Sequence, residues 1–219
     1  MTNTEALPPP NKLIDHLPTR DSLKFMLYSQ FEAFKVIKKN FCQIENVINE
    51  MYLALNKKTD GRIIYAGAGT SARIAVQDGV ELFPTFSWPK KRLAFVIAGG
   101  IKALTNSIEN SEDNIENAKK QIQLLNVKTG DVLIGLAASG ETPFTLEAIS
   151  RARKNGALTI GITNNTNTKI EKLSEIAIVL NTGNEALAGS TRLKAGTAQK
   201  ICLNLISTML MVKFGKVKK

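Results

Sequence analysis

Three short stretches of this chain gather glycines, hydroxyls and cations in patterns that suit an anion. In the first, the apolar run Ile63, Ile64, Tyr65 stops at Gly67, Ala68 and Gly69 and continues as Thr70 and Ser71. This reads as strand, glycine turn, helix. Gly67 and Gly69 let the backbone approach a ligand, and Thr70 and Ser71 add hydroxyl donors where the helix begins. In the second, Ser139, Gly140 and Thr142 precede a helix opened by Pro143, whose missing N–H suits the first helical position. In the third, residues 189–200, Ser190, Thr191, Arg192 and Lys194 stand at the start of a final helix. That mixture suits an anionic sugar or its acid substituent.

Better-known phosphate loops fit less well. Gly67, Gly69 and Ala72 formally satisfy a dinucleotide fingerprint, which also needs an acid at the end of the second strand. The second strand here, residues 93–97, ends in Ala98, Gly99 and Gly100. No Gly-Lys-Ser/Thr follows, so a triphosphate loop is excluded. Either glycine-hydroxyl loop alone also matches ordinary helix capping. Two of them at one sheet edge favour a ligand.

The bulk composition narrows the partners. A chain of 219 residues with 43% hydrophobic content makes one domain with an ordinary core. The net charge is +10, from 29 basic and 19 acidic residues. Its clusters, such as Lys38-Lys39 and Lys90-Lys91-Arg92, are scattered and lack interleaved aromatics. This speaks for anionic metabolites and against nucleic acid. Cys42, Cys202 and the single His16 provide neither a disulfide framework nor a metal site. Both cysteines are expected as small buried residues. With no signal peptide or membrane-length apolar run, a cytoplasmic protein without metal is expected.

The elements that must position these loops follow from periodicity. Residues 1–20, with Pro8-Pro9-Pro10, read as an extended arm, and residues 21–219 as a single domain. Over residues 21–56, Leu23, Leu27, Phe31, Phe34, Ile37, Phe41, Ile44, Ile48 and Leu55 recur at helical spacing, giving one long helix or two. Strands at 62–66, 93–97, 131–136, 158–162 and 176–180 then alternate with helices at 71 onward, within 102–125, at 143–155 and at 169–173. The last helix spans 194–214. This pattern predicts an α/β fold, a doubly wound five-stranded parallel sheet flanked by helices. Its ligand crevice lies at the carboxyl ends of the strands, where the strand order reverses.

On these motifs, above all residues 189–200, the stretch 61–217 resembles the sugar isomerase (SIS) domain of the N-acetylmuramic acid 6-phosphate etherase family. The resemblance implies a flavodoxin-like SIS fold and cleavage of the D-lactyl ether of a phosphorylated amino sugar without metal or redox cofactor. It implies removal of the C2 proton of the opened sugar, loss of lactate from C3, and addition of water. By the segments matching residues 78–86 and 109–113, Glu81 inherits the role of acid and Glu112 that of base. The chemistry agrees, because an ether oxygen must be protonated as it leaves and a C–H beside an aldehyde needs a carboxylate base. Glu81 is expected at the negative end of the helix begun at Ser71, and Glu112 near the start of a helix capped by Ser111. Substrate and phosphate contacts fall to Gly69, Thr70, Ser71, Ser139, Gly140, Thr142, Ser190, Thr191, Arg192 and Lys194.

The chain departs from the family pattern at Ala72, at Glu141 where an arginine is usual, and at Leu82 and Phe83. It ends where the family continues into a small helical C-terminal domain, so a short form is expected. SIS domains pair, and a homodimer is expected. Two other functions stay open: a sugar-phosphate-binding regulator like the glucokinase regulatory protein, and an aldose–ketose phosphate isomerase needing only Glu112.

Overall fold

The computed structural model describes residues 3–7 and 13–217. Five runs of aliphatic and β-branched residues form β1 (Ile63–Gly67), β2 (Leu93–Ile97), β3 (Val132–Leu136), β4 (Leu158–Thr163) and β5 (Ile176–Val179). A helical crossover separates each from the next, and such connections join parallel neighbours. All pairs are parallel, in the order β2-β1-β3-β4-β5. Gly67 is in register with both Ile97 and Leu136, so three strands end level. The order reverses between β1 and β3, and there the crevice opens.

The pleat decides which side chain meets which layer. Ile63, Tyr65, Val132 and Ile134 face one apolar cluster, which contains residues of α2 (Phe31–Lys39), α3 (Phe41–Lys57), α4 (Gly69–Val80) and α9 (Lys194–Lys213). Ile64, Ala66 and Leu133 face the other, with α6 (Ile115–Leu124), α7 (Pro143–Lys154) and α8 (Lys169–Leu173). The helices leaving β1 and β3 therefore start at the same edge and lie on opposite faces. At the other edge the buried Asp131 carboxylate accepts from Arg62 Nη2 at 2.6 Å and Nε at 3.1 Å, locking the starts of β1 and β3. Asp131 raises the pKa of Arg62 further, although burial opposes it.

Several expectations need correction. Residues 21–56 contain three helices rather than one or two: α1 (Thr19–Ser29), α2 and α3, interrupted at Gln30 and Asn40. The second break is pinned by Asn40 Nδ2, which donates to Val36 O at 2.8 Å and to Val179 O at 3.1 Å. Ile37, Ile44, Ile48 and Leu55 are buried as expected, but Leu23, Leu27, Phe31, Phe34 and Phe41 are exposed, as is Cys42. A short helix that periodicity did not suggest, α5 (Leu82–Phe86), follows α4 and ends at Ser87 in the left-handed region. The extended-arm reading fails for the described N-terminal residues. Asn3–Glu5 form a 3-10 turn with Thr4 fully buried. Pro8, Pro9 and Pro10 lie outside the described residues. Among the described residues no helix is long and apolar enough to cross a membrane.

Candidate active site

The two glycine-hydroxyl loops meet as expected. Ala68, Gly69, Thr70 and Ser71 after β1 and Ala137, Ala138, Ser139, Glu141, Thr142 and Pro143 after β3 line one cleft of about 610 Å³. Gly69 opens α4 at φ +52°, a conformation that a side chain disfavours even with open space around it. Neither Ala68 before α4 nor Thr142 before α7 caps its helix with a side-chain hydrogen bond. Two helix N-termini, with orphan N–H groups and positive dipole ends, thus converge beside four hydroxyls. An oxyanion of phosphate size matches that arrangement.

Gly140 belongs to the loop but not to the cleft lining. It sits at φ +72°, where any side chain would collide with Thr168, and its carbonyl accepts the Ile170 N–H at 3.1 Å. It shapes the loop instead of touching a ligand. Glu141, the acid in the place of a usual arginine, is tied to the start of α8: its carboxylate accepts from Lys169 Nζ at 2.8 Å and Lys169 N at 2.9 Å. Burial works to raise its pKa, but the Lys169 bonds outweigh that and hold it below the ordinary carboxylate value. Part of its charge is therefore neutralised before a phosphate arrives.

The third motif is only partly in the site. Gly189 and Thr191 line the cleft, whereas Ser190, Arg192 and Lys194 do not. The reason is a carboxylate within the protein. Glu185, fully buried, accepts from Lys194 N at 3.2 Å and Ala195 N at 2.9 Å, so the start of α9 already holds an anion. Burial raises the pKa of Glu185 despite those bonds, and burial lowers that of the Lys194 ammonium. The Glu185 carboxylate thus fastens the start of α9, while Gly189 and Thr191 reach the cleft.

The two glutamates part company. Glu112 lines the cleft, beside Asp113, and also faces a smaller hollow of about 280 Å³ shared with Gly69, Thr70 and Arg73. Arg73 is held there by Ala103 O, which accepts from its Nε at 3.2 Å, and by Asn106 O. Glu112 stands in a 3-10 turn, Ser111–Asp113, not at the start of a helix capped by Ser111. Asn114 caps the next helix by accepting the Asn117 N–H, and Ser111 Oγ donates to Ile108 O. Glu81 caps the far end of α4, where expected, but it is exposed and outside the cleft. A 12-residue helix is about 18 Å long, so Glu81 stands roughly that far from Gly69. One turn earlier the buried Asp78 fastens α4 to the sheet and to α9, accepting from Tyr65 Oη and Asn204 Nδ2 at 2.8 Å and Ser207 Oγ at 3.0 Å. Burial and then the Asp78 charge push the Tyr65 phenol well above its usual pKa.

Sequence reasoning missed three contributors. Thr4 and Glu5 line the cleft, and Asn165 joins Thr4 to Ala138. Asn165 follows β4 at the ligand edge of the sheet, which is a usable signal; no periodicity marks Thr4 and Glu5.

A family model described as the glucokinase regulatory protein N-terminal SIS domain matches residues 46–153. The N-acetylmuramic acid 6-phosphate etherase of Deinococcus radiodurans is 40% identical over 214 residues, 98% of this chain and 70% of that protein. The etherase of Petrotoga mobilis is 42% identical over 216 residues, 99% of this chain and 72% of that protein. A phosphoheptose isomerase from Francisella tularensis shares the fold, with TM-score 0.66 at 16% identity over 89% of this chain and 98% of that one. With that identity over nearly its whole length, the chain belongs to the N-acetylmuramic acid 6-phosphate etherase family.

Proposed function

We propose that the protein is a carbon–oxygen lyase that releases D-lactate from N-acetylmuramic acid 6-phosphate and leaves N-acetylglucosamine 6-phosphate. The observation that carries this reading is Glu112 on the wall of a cleft built from two uncapped helix N-termini, in a chain about 40% identical to etherases. Thr70, Ser71, Ser139 and Thr142 hold the phosphate with the N–H groups beside them. Glu112 takes the C2 proton of the opened aldehyde sugar. The electron pair left at C2 then forms the C2–C3 double bond and expels the C3 ether oxygen, which is protonated by Glu81. Water adds at C3 with a proton returned to C2. Cytoplasmic recycling of wall-derived amino sugars is the setting that fits such a reaction.

Both carboxylates cannot act on one sugar within one chain, because α4 separates them. We therefore assign Glu81 to the cleft of a second copy in a homodimer. The exposed Val80 and Phe83 beside it, and the apolar face of Leu23, Leu27, Tyr28, Phe31 and Phe34, support an association of copies. The remoteness of Glu81 also favours one rival, an isomerase, which needs a base at C2 but no acid at the ether. The test is D-lactate release by the native chain beside Glu81→Gln and Glu112→Gln. Release by the native chain alone supports the lyase; sugar-phosphate interconversion without lactate would replace it with the isomerase.

A further inference from the structure

We infer that residues 3–7 form a wall of the ligand site, and that Glu5 accepts hydrogen bonds from the hydroxyl and acetamido side of a bound amino-sugar phosphate. This rests on reading the cleft as a phosphosugar site. The segment is fastened directly to two loops at the ligand edge, those after β4 and β5, and through Asn165 to the loop after β3. Asn165, nearly fully buried, donates from Nδ2 to Thr4 Oγ1 at 3.0 Å and to Ala138 O at 2.8 Å, and its Oδ1 accepts the Thr4 N–H at 3.3 Å. Gly189 N donates to Thr4 O at 3.0 Å, and Asn184 Nδ2 donates to Leu7 O at 3.1 Å. Residues near a chain start stay poorly ordered unless tied down, and these ties all run to loops at the ligand edge. Thr4 is fully buried by them, while Glu5 remains exposed with both residues lining the cleft.

Charge decides which end of the ligand Glu5 serves. The N–H groups and hydroxyls after β1 and β3 suit phosphate, whereas a carboxylate repels phosphate and accepts from O–H and N–H. With Glu141 engaged by Lys169, the carboxylates left facing the cleft among the described residues are Glu5, Glu112 and Asp113. Glu112 is given to C2, so Glu5 is a specificity residue for the polar rim of the sugar.

The experiment is calorimetric binding of N-acetylglucosamine 6-phosphate and of inorganic phosphate to the full chain, native and with Glu5→Ala, Glu5→Gln or Thr4→Val. Loss of a charged hydrogen bond predicts about a tenfold weaker sugar phosphate for Glu5→Ala. Inorganic phosphate should bind unchanged, and Glu5→Gln, which keeps an acceptor, should fall between. Thr4→Val, which loosens the wall, should weaken the sugar phosphate in the same sense. Native-like affinity in Glu5→Ala would overturn this inference alone. Absence of sugar-phosphate binding by the native chain would overturn it together with the site reading, and binding without lactate release would overturn only the lyase.

Discussion

The two ends of α4 hold different chemistry. At its start the backbone turns through Gly69 into orphan N–H groups, hydroxyls and the Glu112 wall. At its end Glu81 stands exposed beside Val80 and Phe83, with Lys90 Nζ 4.6 Å from the Phe83 ring centre. The first end lines a cleft suited to a charged small molecule; the second is an exposed surface. The proposed two-carboxylate reaction needs both, so under that proposal one chain supplies complementary halves of two sites.

The comparison can be broken most sharply at Glu112. Replacing it by glutamine should cut lactate release about 100- to 10,000-fold, as expected for loss of a general base, while leaving sugar-phosphate affinity within a few-fold. Glu81→Gln should also abolish release, but with phosphate binding wholly intact, since that end of α4 contributes nothing to the phosphate. Weakened phosphate binding in Glu81→Gln would contradict the division.

A second line of attack is the anchor between the two ends. Asp78→Ala strands Tyr65, Asn204 and Ser207 and should cost about 3 kcal/mol of stability, measured by denaturant unfolding. A smaller effect tests the cleft end. Lys169→Met frees the Glu141 charge and should weaken sugar-phosphate binding a few-fold, and the double variant with Glu141→Gln should restore it. The same pair gives a pH signature. The folded Glu141 carboxylate is more acidic than the unfolded one, so the unfolded chain binds more protons there. Its contribution to stability is present above the ordinary carboxylate range and lost as pH falls through the folded value. Lys169→Met should flatten that part of the stability–pH curve.

The sheet was legible because buried parallel strands are short apolar runs between turn formers, and the two glycine-hydroxyl loops because glycine and hydroxyls mark helix starts. Ser190, Arg192 and Lys194 lie outside the cleft lining for a physical reason: a helix N-terminus looks the same in sequence whether a ligand or Glu185, several residues earlier, fills it. The breaks at Gln30 and Asn40 were hidden by uninterrupted apolar spacing, and the second depends on Val179, far along the chain. Thr4 and Glu5 gave no local signal, because the burial of Thr4 depends on Asn165, far along the chain. The position of Glu81 was read correctly along its helix, but linear reading does not show how far that helix end stands from the cleft.

The most direct test of the split site is to mix the two inactive variants. Glu81→Gln and Glu112→Gln chains, unfolded together and refolded or exchanged as dimers, should recover about a quarter of native D-lactate release, because half the dimers are mixed and each carries one intact site. Formation of mixed dimers with no recovery of activity would contradict the account and place both carboxylates in a single chain's site.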